Sequence, residues 1–200
     1  ISLLLSVFHF LIFAFSQIVT PGPANMIMLS TGAKYGFRNA LPFVFGVIVG
    51  KQIIIWPIGF GLLLLNKEHP YVFLFFKYVS AAYILWLAWR IANMRISAET
   101  SDRPPPGFLS GLIVHPLNPK AWALITTGFT NFVDPSSSIF FATAAIALCL
   151  FIIQLVCHPI WTLFGEKIAR LVGGSVYERY LMLFFALLTI IFVGLALLSY

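Results

Sequence analysis

Proline breaks inside long apolar runs constrain this sequence more than any other feature. Thr20-Pro21-Gly22-Pro23-Ala24-Asn25 interrupts the first run, and His115-Pro116-Leu117-Asn118-Pro119-Lys120 interrupts the fourth. Proline removes a backbone donor and clashes with the preceding turn. In lipid, freed backbone groups are tolerated only where protein or a water-lined cavity satisfies them. Two such breaks in one small chain point to a pathway through the membrane.

The apolar runs cover about 2–30, 40–65, 71–92, 108–132, 139–164 and 179–198. Each is long enough for a transmembrane helix, which needs about 20 residues. Charged residues make up 9% of the chain, against about 25% in soluble domains. The expected fold is therefore an all-α integral membrane protein, a single domain over 1–200 with six transmembrane helices. Ile1 stands where an initiator Met would, so the native start is expected upstream. No basic residue precedes Lys34, so the first run does not read as a signal peptide.

The net charge of +6 could suit a nucleic-acid partner. Most basic residues instead lie in short loops between apolar runs and form no patch with interleaved aromatics, which argues against that class. Cys149 and Cys157 fall on one helix, roughly 12 Å apart, too far for a disulfide. They read as small apolar packing residues.

Residues 93–107, with three prolines and four charges, form the one obvious linker and leave three runs on each side. Loops one, three and five hold Lys34, Arg38, Arg90, Arg95, Arg103, Lys167, Arg170 and Arg179. The other side holds Lys67 and Lys77. The positive-inside rule then places the linker in the cytoplasm and both termini on the periplasmic side. Three spans, a linker and three spans give two halves of opposite orientation. Pro23 is echoed by Pro119, and Pro57 by Pro159. Breaks at matching places in inverted repeats point to a transporter site. Gly46-x-x-x-Gly50 lets helix backbones approach closely, for internal packing or for self-association. The stretch from Gly165 to Glu178 reads as a basic, partly amphipathic loop.

Several polar residues fall within these runs. Lys51 and Lys120 lie near the middles of the second and fourth spans, too deep to snorkel out fully. Lys120 sits in the break and reads as a pathway residue or a tolerated cation. Lys51 could equally pack at a polar helix interface. Gln154, His158 and Trp161 share one helix face. His158 could couple transport to protons or serve as a hydrogen-bonded interior residue, whereas His115 reads as an ordinary interfacial residue. Asn25 and Asn118 could contact a zwitterionic ligand or cap backbone groups freed by the prolines. No Asp or Glu falls clearly within a span, so coupling would rest on His, Lys or Glu166 at the inner edge.

The residues TPGPAN, YGFRNA, FGVIVG, AAYILWLAWRIA and FLSGLIVHPLNPKAW, set in this six-span layout, resemble the lysine-exporter (LysE/RhtB-type) amino-acid efflux proteins. The third-span stretch is most similar to the cysteine and O-acetylserine exporter branch. The resemblance implies a bacterial inner-membrane exporter of small amino acids or derivatives, driven by the proton-motive force and not an enzyme. It implies no cofactor or metal and leaves homo-oligomerisation open. Its motif residues fall on Pro21, Gly22, Pro23, Asn25, Asn118, Pro119 and Lys120, while Lys51, Gln154 and His158 are added from position alone. A carrier for an inorganic ion or metal is the alternative, followed by an intramembrane redox enzyme. Clustered His, Cys and carboxylates would favour the metal, and cysteines on facing spans the redox enzyme.

Overall fold

The computed structural model describes residues 2–62, 70–93, 104–133 and 137–198. The expected turns at 66–70 and 134–138, and the linker 93–107, fall wholly or largely outside them. Every regular element among the described residues is helical.

Helix α1 spans Ser2–Val19 and α2 spans Pro23–Tyr35. Thr20 precedes a proline, which disfavours continued helix there. Pro23 then opens α2 in its first turn, where its missing N–H costs nothing. The two helices meet at 51°. Gly36, at φ +79°, closes α2 by donating its N–H to Gly32 O at 2.9 Å. Helix α3 starts at once, spanning Phe37–Pro57 and continuing as a wider π turn over Ile58–Leu62. The loop expected at Lys34 to Arg38 thus contracts to one left-handed glycine.

Helix α4 spans Pro70–Ala92. The short α5, Phe108–Leu112, leads through a turn to α6, Pro119–Phe132. Helix α7 spans Ile139–Val172 and α8 spans Val176–Leu198. The loop expected from Gly165 is instead helix as far as Val172. Gly165 is a packing glycine rather than a stop, and Glu166 pairs with Arg170 one turn on, which supports the last turns. At about 51 Å, α7 is far longer than the roughly 30 Å apolar core of a bilayer.

Glycines set the closest helix pairs. A Cβ on Gly32 would overlap the Thr162 carbonyl, and one on Gly165 the Leu29 carbonyl, so α2 and α7 cross with backbones touching. Gly46 and Gly50 of α3 lie against the Phe108 and Leu112 carbonyls, and Gly111 of α5 lies against Phe43 O. The Gly46-x-x-x-Gly50 pair therefore serves packing inside the chain. Helix α4 packs on α8, and α3 on α7.

Phe10, Ala14, Ile18, Ile55, Ile125 and Leu150 form one apolar core joining α1, α3, α6 and α7. Phe8, Ile12 and Phe15 on α1, and Leu148, Ile152 and Leu155 on α7, face outward. So broad an apolar exterior suits lipid rather than water. The helices covering Phe37–Gly61 and Ile139–Val172 are each long and apolar enough to cross a membrane, and the bent α1–α2 pair makes a third candidate.

Candidate functional site

The two proline breaks meet. Lys120 Nζ donates to Thr20 Oγ1 at 2.9 Å and lies 3.3 Å from Pro21 O and 3.5 Å from Thr20 O. The ammonium from the second break is thus held by oxygens at the end of α1. Gly22 makes room for it, since a Cβ there would stand 3.2 Å from Lys120 Cδ.

Each asparagine caps its own break. Asn25 Nδ2 donates to Ile18 O at 2.7 Å and Thr20 O at 2.9 Å. That satisfies carbonyls left open at the end of α1 and leaves Oδ1 as the atom able to meet a ligand. Asn118 is the N-cap of α6, its Oδ1 accepting from Lys120 N–H at 3.1 Å. Pro119 follows in the first turn of α6, as Pro23 does in α2. The capping reading of both amides therefore holds, although both side chains also reach the cavity.

That cavity has about 330 Å³ of empty space including its mouth. Gln17, Thr20, Gly22, Asn25, Lys51, His115, Asn118, Lys120 and His158 supply its polar wall, and Ile18, Ala24, Ala121 and Leu124 its apolar wall. Lys51 and His158, which the sequence placed by depth alone, join the break residues there. Pro21 contributes its carbonyl through Lys120. Gln154 stands behind the wall, fully buried.

Behind the lysines lies a compact polar group. Gln154 Nε2 sits 2.8 Å from His158 Nε2 and 2.9 Å from His115 Nε2. The imidazoles stack at 5.6 Å between centroids, with their Nε2 atoms 3.4 Å apart. The amide has two hydrogens, so in this arrangement it can donate one to each ring and fix both as Nδ1–H tautomers. Among the described residues neither Nδ1 has a hydrogen-bond partner, nor does Gln154 Oε1.

His115 overturns its sequence reading. It is 3% exposed and stacked on His158 rather than an ordinary surface residue, because its turn folds back against α7. A signal was available: His115-Pro116 and His158-Pro159 are both His-Pro dipeptides within broken or proline-bearing spans. Thr20 also belongs to the site, as its hydroxyl accepts from Lys120 Nζ at 2.9 Å. Glu166 lies away from the cavity wall, accepting from Phe37 N–H at 2.8 Å and pairing with Arg170.

Among the described residues, no three His, Cys, Asp or Glu converge as a metal centre requires. Cys149 and Cys157 are both free thiols on α7, so no thiol faces another across spans.

The chain is 29% identical over 175 residues to the cysteine/O-acetylserine efflux protein of Salmonella choleraesuis, covering 86% of this chain and 87% of that one. The protein of the same name from Klebsiella pneumoniae is 30% identical over 165 residues, covering 81% and 83%. One from Escherichia coli O139:H28 is 27% identical over 175 residues, covering 86% and 87%. No solved structure matches the chain. The profile of the LysE type translocator family matches residues 15–200, and with nearly the whole length covered, this chain belongs to that family of membrane transport proteins.

Proposed function

We propose that this protein exports small amino acids or their derivatives across the bacterial cytoplasmic membrane, using the cavity between the two breaks as the substrate site. One observation carries the reading. In a helical protein with an apolar exterior, both broken segments bring their polar residues to a single cavity. A carrier that alternates access needs such a site between its two halves. The relatives named cysteine/O-acetylserine efflux proteins favour small, polar amino-acid substrates.

The proposal includes six spans in two inverted three-helix repeats, with both termini in the periplasm. Packing supports it. Half of each broken span lies against the second span of the other half, α2 on α7 and α5 on α3, while the third spans pair as α4 on α8. Interlocked repeats produce that exchange. The charge asymmetry of the loops supplies the orientation.

It also includes proton coupling through His158, with His115 beside it and Gln154 hydrogen-bonded to both rings. Among the described residues the acids are Glu166 and Glu178, and neither reaches the cavity. His115 and His158 do line it, and imidazole nitrogens can take up and release protons.

The test uses proteoliposomes loaded with labelled cysteine, O-acetylserine, homoserine, threonine, leucine or lysine under an imposed proton gradient. Gradient-dependent efflux of at least one is expected. Absence of such flux for all six would sink the reading.

A further inference from the structure

Lys51 carries an ammonium group that the fold does not answer. It sits on α3 in the cavity wall, is 2% exposed, and has no hydrogen-bond or ion-pair partner among the described residues. Lys120 differs, because three oxygens from Thr20 and Pro21 surround its Nζ. Among the described residues no Asp or Glu lines the cavity. Glu166 is occupied by Phe37 N–H and Arg170, and Glu178 by Gly174 N–H.

A buried ammonium without a counter-charge is expensive. The same wall holds His115 and His158, whose Nδ1 atoms are buried and unpartnered. The cavity wall thus holds an unanswered cation, with two buried and unpartnered ring nitrogens in the same wall and no carboxylate among the described residues to neutralise the cation. Such a wall is built for a ligand that brings its own anion. Simple packing does not explain the arrangement, since an apolar side chain would fill the position on α3 without the charge.

We propose that Lys51 is the anchor for the substrate's α-carboxylate, so that the site selects amino acids over amines and amides lacking that group. This rests on the exporter reading of the same cavity. The carboxylate supplies the counter-charge that Lys51 lacks, and the side chain of the substrate is left to the rest of the wall. Lys51 is therefore a selectivity residue for the head group common to all amino acids, not for any one of them.

The experiment compares full-length protein in proteoliposomes loaded with labelled L-cysteine, L-threonine or L-leucine, each paired with its own carboxamide. A charge-assisted hydrogen bond implies that the wild type prefers acid over amide by at least about tenfold. Lys51→Met should bring that ratio to within about twofold, while Lys51→Arg should keep most of it. A Lys51 with a merely structural role would lower flux of acid and amide together and leave the ratio unchanged. A wild type that carries amides as well as acids overturns the proposal, as does a Lys51→Met variant with the wild-type ratio. Thermal stabilisation of detergent-purified wild type by 10 mM cysteine but not by cysteinamide provides a readout independent of how the variants fold, and equal stabilisation by both would also overturn it. Lack of flux for every amino acid and amide would overturn the exporter reading itself, a result distinct from flux without head-group selectivity.

Discussion

Replacing Gly165 by alanine tests whether the α2–α7 crossing is as close as described. Two effects oppose each other. Alanine is favoured over glycine in a helix interior by up to about 1 kcal/mol. Against that, the new Cβ would overlap Leu29 O, with Leu29 C also within contact. These are backbone atoms and cannot rotate aside. The helices must part by more than about 1 Å before van der Waals separation is restored. They form the most extensively packed helix pair among the described residues. Overpacking of this kind costs about 1–3 kcal/mol, and a backbone obstacle puts it at the upper end. A net loss of about 1–2 kcal/mol is expected, lowering the unfolding midpoint by about 2–8 °C for a chain of this length. Tryptophan fluorescence during heating of detergent-purified protein would read it. Gly107→Ala is the control, since nothing lies within 4 Å of a Cβ there. Gly32→Ala should act like Gly165→Ala, because its Cβ would overlap Thr162 O across the same crossing. The double variant should lose less than the sum, since the first substitution already parts the helices. If Gly165→Ala melts at or above the wild-type temperature, propensity alone has decided and the crossing is not this close.

Pro23→Ala and Pro119→Ala should reduce efflux more than membrane abundance, because each proline opens a half-helix beside the cavity; wild-type flux at equal abundance would show the breaks to be incidental. Lys120→Ala should be more damaging to flux than Lys67→Ala, since Lys120 joins the two breaks while Lys67, outside the described residues, falls in a stretch that the sequence alone reads as a hydrated turn. Replacing both Cys149 and Cys157 by alanine should preserve transport, with a modest loss of stability from the buried Cys157; abolished flux in a folded variant would reopen a thiol-based mechanism.

The sequence made both breaks legible because proline and glycine act locally and their spacing can be read directly. It could not reveal that Thr20 and Lys120, one hundred residues apart, share a hydrogen bond. That contact depends on how α1 and α6 pack. Asn25 and Asn118 were visible as residues beside prolines, but the choice between capping and ligand contact needed atomic positions. Gly165 misled because a glycine after an apolar run resembles a helix stop. Its role is set by Leu29 on another helix, which local propensity does not sense. His115 was misplaced for a related reason: depth was counted along the run, whereas the turn after α5 folds that part of the chain back on α7. Lys51 shows the reverse case. Position alone flagged it, and only the missing partner gives that flag chemical meaning.

Polarity connects these features. The first break leaves the carbonyl end of α1 facing the site, a pole of roughly −0.5 charge, and the second leaves the amide end of α6, a pole of roughly +0.5. Asn25 and Asn118 satisfy only some of the groups exposed there. Lys120 rests against the carbonyl pole, so an ammonium is demonstrably accommodated at that end. Lys51 adds positive charge to the same cavity without any such oxygens. A zwitterion with its carboxylate toward Lys51 would meet opposite charge there, in a cavity whose carbonyl pole already carries Lys120. The two breaks thus do more than admit polar groups to an apolar bundle: they turn helix ends of opposite sign toward one space, which an unbroken pair of helices could not do.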